Sequence, residues 1–141
     1  MRTLQAFGLL TAVLIHSPLA IAQDGPVAMA FAVAPEQAYG ECSAASPKEA
    51  ADCAMKQCID GGAAEEDCAL VASCFPVGWT ARLGIQHSQG PHWPEYHCGW
   101  DSREALEAAM AIACDLKRRK ELTMCEITQI WDGDGKPQME E

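Results

Sequence analysis

The fold depends most on the stretch Val27-Ala-Met-Ala-Phe-Ala-Val-Ala34. Large apolar side chains alternate in it with alanines, and a period of two predicts a β-strand. The large side chains, Phe31 among them, lie on one face of that strand. Because the other face carries only alanines, a second element can approach it closely.

A helix is predicted to follow this strand, after a turn at 35–37 and a short second strand that ends near Cys42. Ser46-Pro47-Lys48-Glu49 combines a serine cap, a proline at the first helical position and a glutamate three residues after the cap. This combination is typical of a helix start. Gly61-Gly62 ends the helix, and residues 68–75 form the third predicted strand.

The second half of the chain has a similar layout. Residues 79–86 alternate between apolar and mostly polar side chains, which predicts a half-buried strand. A short strand is predicted at 95–100, and Asp101 or Ser102 is predicted to cap a second helix. The last strand is predicted from Leu122 to Trp131. The order β-β-α-β, present twice, predicts an α+β fold of antiparallel sheet with two helices packed on it.

Six of the eight cysteines repeat with a nearly fixed offset, which predicts a duplicated unit. We therefore divide the chain into a signal peptide, 1–22, and a single two-repeat domain, 23–141. The first repeat spans about 26–77, the second about 78–132, and 133–141 is an acidic tail. The pairs that share the offset are Cys42 and Cys98 (56 residues), Cys58 and Cys114 (56), and Cys68 and Cys125 (57).

The first 22 residues have the features of an export signal. Met1-Arg2 provides a short positive start, Phe7 to Ile15 is apolar, and Ala20-Ile21-Ala22 is a small-x-small cleavage site. The apolar run is too short for a membrane anchor. The sequence therefore predicts a periplasmic or secreted protein that begins at Gln23 and has no membrane anchor after processing.

The charge of the mature chain limits its partners. Without Arg2 it carries 9 basic and 20 acidic residues, a net charge of −11. Nucleic-acid binding is disfavoured, because it depends on neutralising phosphates. The one basic cluster, 117–120, lies where a helix is expected to end and where cations complement the helix dipole. The acidity is compatible with a basic protein partner reached by electrostatic steering.

Several motifs resemble those of a bacterial secreted family known as domain of unknown function 4189. They are the alanine-rich strand from Val27, the helix pattern Ala50-x-x-x-Ala54-Met55-x-x-Cys58, a strand cysteine ten residues later, and their counterparts from Trp79 onward. The resemblance covers nearly all of the mature chain and implies this fold and export. The additional cysteines and the histidine-rich segment depart from the family pattern. The family has no established activity, so the resemblance assigns no catalytic residue.

An exported chain with an even number of cysteines is expected to form a disulfide framework. In each repeat, one cysteine closes the helix and the next opens the following strand across a turn, so we predict a bridge between them. We also predict a bridge between two repeat equivalents, and the last two cysteines then remain as a pair. The within-repeat bridges are Cys58–Cys68 and Cys114–Cys125, and the others are Cys42–Cys98 and Cys53–Cys74.

A loop predicted at 86–97 contains all three histidines of the mature chain: His87, His92 and His97. Imidazoles bind Zn²⁺ or Cu²⁺, but steps of five residues place the rings on different faces of a helix or a strand. Trp93 and Tyr96 offer a second interpretation, in which the loop binds a protein partner. A third is that the loop is a structural connection whose aromatic rings cover the core. We predict no cofactor.

Other motifs give weaker indications. Asp132-Gly-Asp-Gly135 resembles the start of a calcium loop but lacks the later ligands, which favours a solvated turn. The chain has no Gly-x-Ser-x-Gly elbow, and the run 65–67 of acidic residues is typical of a solvated surface. The sequence favours a non-catalytic interaction protein that binds or inhibits a basic partner. The alternatives are a Zn²⁺ or Cu²⁺ protein using the histidine loop, and a hydrolase with an unrecognised site.

Overall fold

A computed structural model describes residue 25 and residues 27–138 of the chain, so the predicted signal peptide, residues 1–22, lies outside the described residues. The fold is α+β, as predicted, with two helices, two antiparallel sheets and four disulfides. The strands are β1 (Ala28–Ala34), β2 (Ala38–Ala44), β3 (Ala69–Cys74), β4 (Trp79–His87), β5 (His92–Trp100), β6 (Leu122–Trp131) and β7 (Pro137–Gln138). The helices are α1 (Pro47–Asp60) and α2 (Arg103–Ala113), with a short 3-10 turn at Glu65–Asp67.

The first strand of each half lies in the middle of its sheet. The first sheet has the order β2-β1-β3, and the second has the order β5-β4-β6-β7. Helix α1 contacts all three strands of the first sheet, and α2 contacts β4 and β5 of the second. The two sheets pack against each other, so the molecule has four layers: α1, first sheet, second sheet and α2.

The alanine face of β1 packs against α1, in agreement with the prediction that another element can approach this face closely. Ala30 and Ala32 of the strand pack against Ala50, Ala54 and other small residues of the helix, and all are fully buried. Ser46 caps the helix by accepting a hydrogen bond from the Glu49 backbone N–H. Small side chains on both elements bring the helix axis close to the sheet.

The core between the sheets consists of large side chains. The ring of Phe31, on the opposite face of β1 from the alanines, stacks on Tyr96 of β5 with 4.1 Å between centroids. Trp131 of β6 lies at 5.8 Å from Phe31, and Met29 and Val77 complete this cluster. On the outer face of the second sheet, a separate core formed by β4, β6 and α2 includes Leu83, Ile85, Leu106 and Met110.

The structure corrects two details of the predicted elements and decides between the two predicted caps of α2. Strand β5 begins at His92 instead of residue 95, because the segment after the β4–β5 turn pairs directly with β4. Ser102 caps α2 by accepting from the Ala105 N–H. Pro137–Gln138, within the segment predicted as an acidic tail, pairs with β6. Within the described residues, neither helix is long and apolar enough to cross a membrane.

All eight cysteines, which lie in the described part of the chain, form disulfides. The predicted bridges Cys58–Cys68 and Cys114–Cys125 are present. The predicted bridges Cys42–Cys98 and Cys53–Cys74 are wrong: Cys42 pairs with Cys53, and Cys74 pairs with Cys98.

The layers explain this correction. Cys42 pairs in register with Ala30, whose side chain faces α1, and Cys53 lies on α1. Cys74 pairs in register with Met29, on the side of the inter-sheet core, and Cys98 packs against that core. The repeat equivalents Cys42 and Cys98 therefore face different layers and cannot meet.

The close contact between β2 and α1 predicts a large effect of a small substitution. A Cβ atom on Gly40 would overlap the backbone carbonyl of Ala54, so Gly40→Ala should lower the free energy of unfolding by about 1–3 kcal/mol. The matched control is Gly133→Ala, where an added Cβ meets nothing within 4 Å; it should change stability by less than about 0.5 kcal/mol. Urea unfolding measures both, and equal effects would contradict the close helix–sheet contact.

The corrected pairing also makes a prediction. Cys74–Cys98 joins the first sheet to the second and spans 24 residues, so replacing both cysteines with serine should cost about 3–4 kcal/mol. Peptide mapping of the non-reduced protein should recover the Cys42–Cys53 and Cys74–Cys98 links. Recovery of Cys42 linked to Cys98 would contradict the four-layer arrangement.

Candidate functional site

The predicted histidine loop is a β-hairpin. His87 ends β4, residues 88–91 form the turn, and His92 begins β5 opposite Gln86. Alternation along β5 sends its side chains to opposite faces of the second sheet. His92 and Tyr96 face the first sheet, where His92 Nδ1 lies 3.7 Å from Glu36 Oε1.

Trp93 and His97 lie on the opposite face of β5, which carries α2. Trp93 packs against the core under α2, and its ring centroid lies 6.5 Å from that of His87. Burial lowers the pKa of His97. The three histidines are thus divided between two faces of one sheet, and within the described residues no group of three or more His, Cys, Asp or Glu could hold a metal ion.

A polar network lies between the two sheets beside the Phe31–Tyr96 stack. Arg82 Nη1 and the Tyr96 hydroxyl both donate to Glu41 Oε1, at 2.9 and 2.8 Å. Arg82 Nε donates to Thr128 Oγ1 at 2.9 Å, and the guanidinium lies 5.3 Å from the centroid of the Tyr39 ring. Burial, together with the Glu41 carboxylate, raises the pKa of Tyr96 far above its ordinary value, so Tyr96 stays a neutral donor.

This network borders an open cleft of about 360 Å³ between the sheets. The β1–β2 turn forms one side of this inter-sheet cleft, and β4, β5 and β6 form the other. Its walls are mostly apolar, with polar groups at the floor and the mouth. The lining residues used below are Ala34, Glu36, Ala38, Tyr39, Arg82, Gly84, His92, Trp93, Pro94, Met124 and Thr128.

Among the described residues, Thr128 supplies the only serine or threonine hydroxyl that lines the inter-sheet cleft. Its Oγ1 accepts from Arg82 Nε and donates to the Arg82 carbonyl oxygen at 3.2 Å. A nucleophile needs a base within hydrogen-bond reach, and neither of these partners can act as one.

A second charged cluster holds β5 to the segment after α2. Arg119 donates to both carboxylate oxygens of Glu95, at 2.8 and 3.0 Å, and Trp93 Nε1 donates to the same carboxylate at 3.2 Å. The Arg119 hydrogen bonds lower the pKa of Glu95, against the opposing effect of burial. The basic run 117–120, predicted at a helix end, lies in the turns after α2 and contributes this ion pair.

The acidic motif near the end of the chain forms a turn. Asp132 Oδ1 accepts the backbone N–H groups of Asp134 and Lys136 at 3.0 Å. These bonds close the turn between β6 and β7. Asp132 Oδ1, which would have to bind the ion in a calcium loop, already accepts hydrogen bonds within the turn. The arrangement agrees with a solvated turn.

Strand β3 forms the outer edge of the first sheet and is largely exposed. It pairs with β1 on one side, and within the described residues no strand pairs with its other side. Leu70 and Val71 are 47% and 53% exposed. The acidic turn Glu65–Asp67 directly precedes the strand, and all three of its side chains are exposed. We call β3 and this turn together the β3 edge surface.

Two of these features have little signal in the sequence. Arg82 lies on the polar face of a predicted half-buried strand, and nothing local indicates that a second sheet covers that face. For the β3 edge surface, the sequence predicts only a strand preceded by a solvated acidic run. Its signal is the string Ala-Leu-Val-Ala-Ser-Cys at 69–74, which has no charge or proline to protect an edge strand.

Comparison of the chain with protein-family models, with curated proteins and with solved structures gave no match. The resemblance to the domain-of-unknown-function family 4189 stays a prediction from the motifs.

The ion pair of Glu95 predicts a pH-dependent stability. Since its folded pKa lies below its unfolded value of about 4.3, the carboxylate stabilises the fold above that pH, and this stabilisation is lost as the pH falls through the folded pKa. Glu95→Gln should therefore lower the free energy of unfolding by about 1–2 kcal/mol at pH 7. The effect is smaller than for a fully buried pair because both side chains are partly exposed. The difference from wild type should shrink as the pH approaches 2.

The control for this measurement is Glu107→Gln, which breaks the exposed helical pair with Arg103. Exposed pairs contribute little, so it should change the free energy of unfolding by less than about 0.5 kcal/mol at either pH. Thermal unfolding between pH 2 and pH 7 checks both variants. A Glu95→Gln effect that stays constant over this range would contradict the role of the charge.

Proposed function

We propose that this chain is an exported, non-catalytic interaction module that binds a positively charged, extended segment of another protein at the β3 edge surface. The observation that carries the proposal is the unpaired outer edge of β3. Its backbone N–H and C=O groups face solvent beside half-exposed apolar side chains. An extended segment can add to such an edge through main-chain hydrogen bonds.

The composition of β3 favours pairing with another chain, because the strand lacks the residues that usually protect an edge. Edge strands are usually protected by lysine, proline or inward-pointing charges, because an open edge pairs with other chains. Residues 69–74 contain none of these. A register shift leaves Val71 as an extra residue opposite Phe31 and Ala32 of β1, and this bulge limits the added strand to a short stretch on each side of it.

The charge beside the edge defines the chemistry of the partner. An acidic run with no basic residue in it precedes β3: Glu65, Glu66 and Asp67. The whole chain has a formal charge of −10. Lysine or arginine side chains in the partner would meet this field as it approaches, which speeds association and excludes acidic segments. A partner segment that alternates basic and apolar residues matches both the acidic side chains of the turn and the apolar side chains of the strand.

The compartment follows from the export signal and the disulfides. Four bridges are typical of proteins that fold under oxidising conditions, and the predicted signal would deliver the chain to the periplasm or the exterior. The metal-binding and hydrolase alternatives find no support in the described residues, since the histidines lie on two faces and Thr128 has no base.

The test uses the oxidised mature protein and the acetylated, amidated peptide Lys-Val-Lys-Val-Lys-Val-Lys. We expect the peptide to bind, to slow amide exchange along β3, and to bind more weakly as salt is added. Val71→Lys, which adds a positive charge to the edge, should weaken binding at least tenfold, about 1.4 kcal/mol. Titration calorimetry and amide exchange measured by NMR provide the readouts.

The matched control is Ile112→Lys, the same chemical change at a 65% exposed position on α2, and it should leave the affinity unchanged. The combined Glu65→Lys and Asp67→Lys variant should weaken binding and flatten its salt dependence. Equal binding of the Glu-Val-Glu-Val-Glu-Val-Glu peptide, or an affinity that Val71→Lys leaves unchanged, would overturn the proposal.

A further inference from the structure

We propose that the inter-sheet cleft binds a small aromatic molecule that carries one anionic group, such as a carboxylate. The cleft contains no residue of β3, so this site is independent of the proposed partner surface. Three observations carry the inference: the space between the sheets, a preoriented arginine, and apolar side chains left open within the cleft.

The space exists because the core between the sheets fills only part of their interface. Phe31, Tyr96 and Trp131 fill one region with aromatic rings. In the region toward the β1–β2 turn, Gly84 of β4 has no side chain to fill the cleft. The sheets cannot close over this gap, because the large rings hold them apart. The volume of about 360 Å³ lies within the range of small-molecule sites.

Arg82 gives the cleft its anion-binding group. Its guanidinium is fixed from three sides by Glu41, Thr128 and the Tyr39 ring, and its side chain is 20% exposed. Its remaining terminal nitrogen, Nη2, has no hydrogen-bond partner among the described residues. A guanidinium with its orientation already fixed loses little freedom when it binds a carboxylate.

The walls select a flat apolar body. Tyr39 is 49% exposed and Met124 is 38% exposed, although both line the cleft. Pro94 adds further apolar surface from β5. Large apolar side chains grouped in a concavity are typical of ligand sites. An aromatic ring seated here would cover them and lie next to the Tyr39 ring.

The charges around the cleft favour one negative group over a cation. Glu41 does not line the cleft, and its Oε1 is already shared by Arg82 and Tyr96. The other acidic residue, Glu36, lies at the mouth beside His92. A cationic ligand would therefore face Arg82 without a free carboxylate at the floor, while a ligand with two or more negative charges would be repelled by Glu36.

The experiment uses 2-naphthoate, with the uncharged 2-naphthamide as the matched ligand. We expect saturable binding of 2-naphthoate with NMR shifts at the backbone amides of Ala38 and Gly84, and binding of 2-naphthamide at least tenfold weaker. Tyr39→Leu should weaken 2-naphthoate binding at least fivefold, and Arg82→Lys should remove the preference for the anion. Met124→Trp, which narrows the mouth of the cleft, should weaken both ligands.

Phe75→Leu is the control variant, since it removes a ring of similar exposure, 51%, outside the cleft; it should bind 2-naphthoate like the wild type. Thermal unfolding verifies that each variant is folded, and the Tyr39 and Met124 variants test the site without breaking the Arg82–Glu41 pair. Equal affinities for the two ligands would overturn the proposal. So would the absence of shifts at the cleft amides at ligand concentrations of about 5 mM.

Discussion

The burial of β1 on both of its faces is the constraint on which the rest of the structure depends. All seven of its residues are buried. One face accepts only a helix with small side chains, which fixes α1 close to the sheet. The other face presents Phe31, which stacks on Tyr96 and so determines how the second sheet lies on the first. The inter-sheet core, the polar network and the cleft beside it all follow from the position of this one strand.

Local sequence patterns predicted the strands and helices well, because these patterns depend only on residues that are close together in the chain. The alternation at 27–34 and the cap at Ser46 need no knowledge of distant contacts, and bridges that cross a single turn were predictable for the same reason. The bridges Cys42–Cys53 and Cys74–Cys98 were not, because the face on which a strand cysteine lies depends on the strand register. A shift of one residue turns a side chain to the opposite layer, and Cys42 and Cys98 differ in this way.

The candidate sites were less predictable than the fold. The separation of His92 and His97 onto opposite faces follows from their odd spacing, and the sequence indicated it. Arg82 and Glu41, in contrast, are 41 residues apart on strands of different sheets. Alternation alone cannot distinguish a polar face that meets water from one that meets another sheet. That ambiguity conceals both the network and the cleft.

The arrangement of the disulfides has a consequence for the order in which the protein can mature. Three of the four bridges join cysteines 10 or 11 positions apart, so each can close soon after its own segment reaches oxidising conditions. Once Cys68 has emerged, the N-terminal half has both of its internal bridges available. Cys74 can form its native bridge only after Cys98 is present. Formation of the Cys74–Cys98 bridge therefore requires the two halves to have docked on each other.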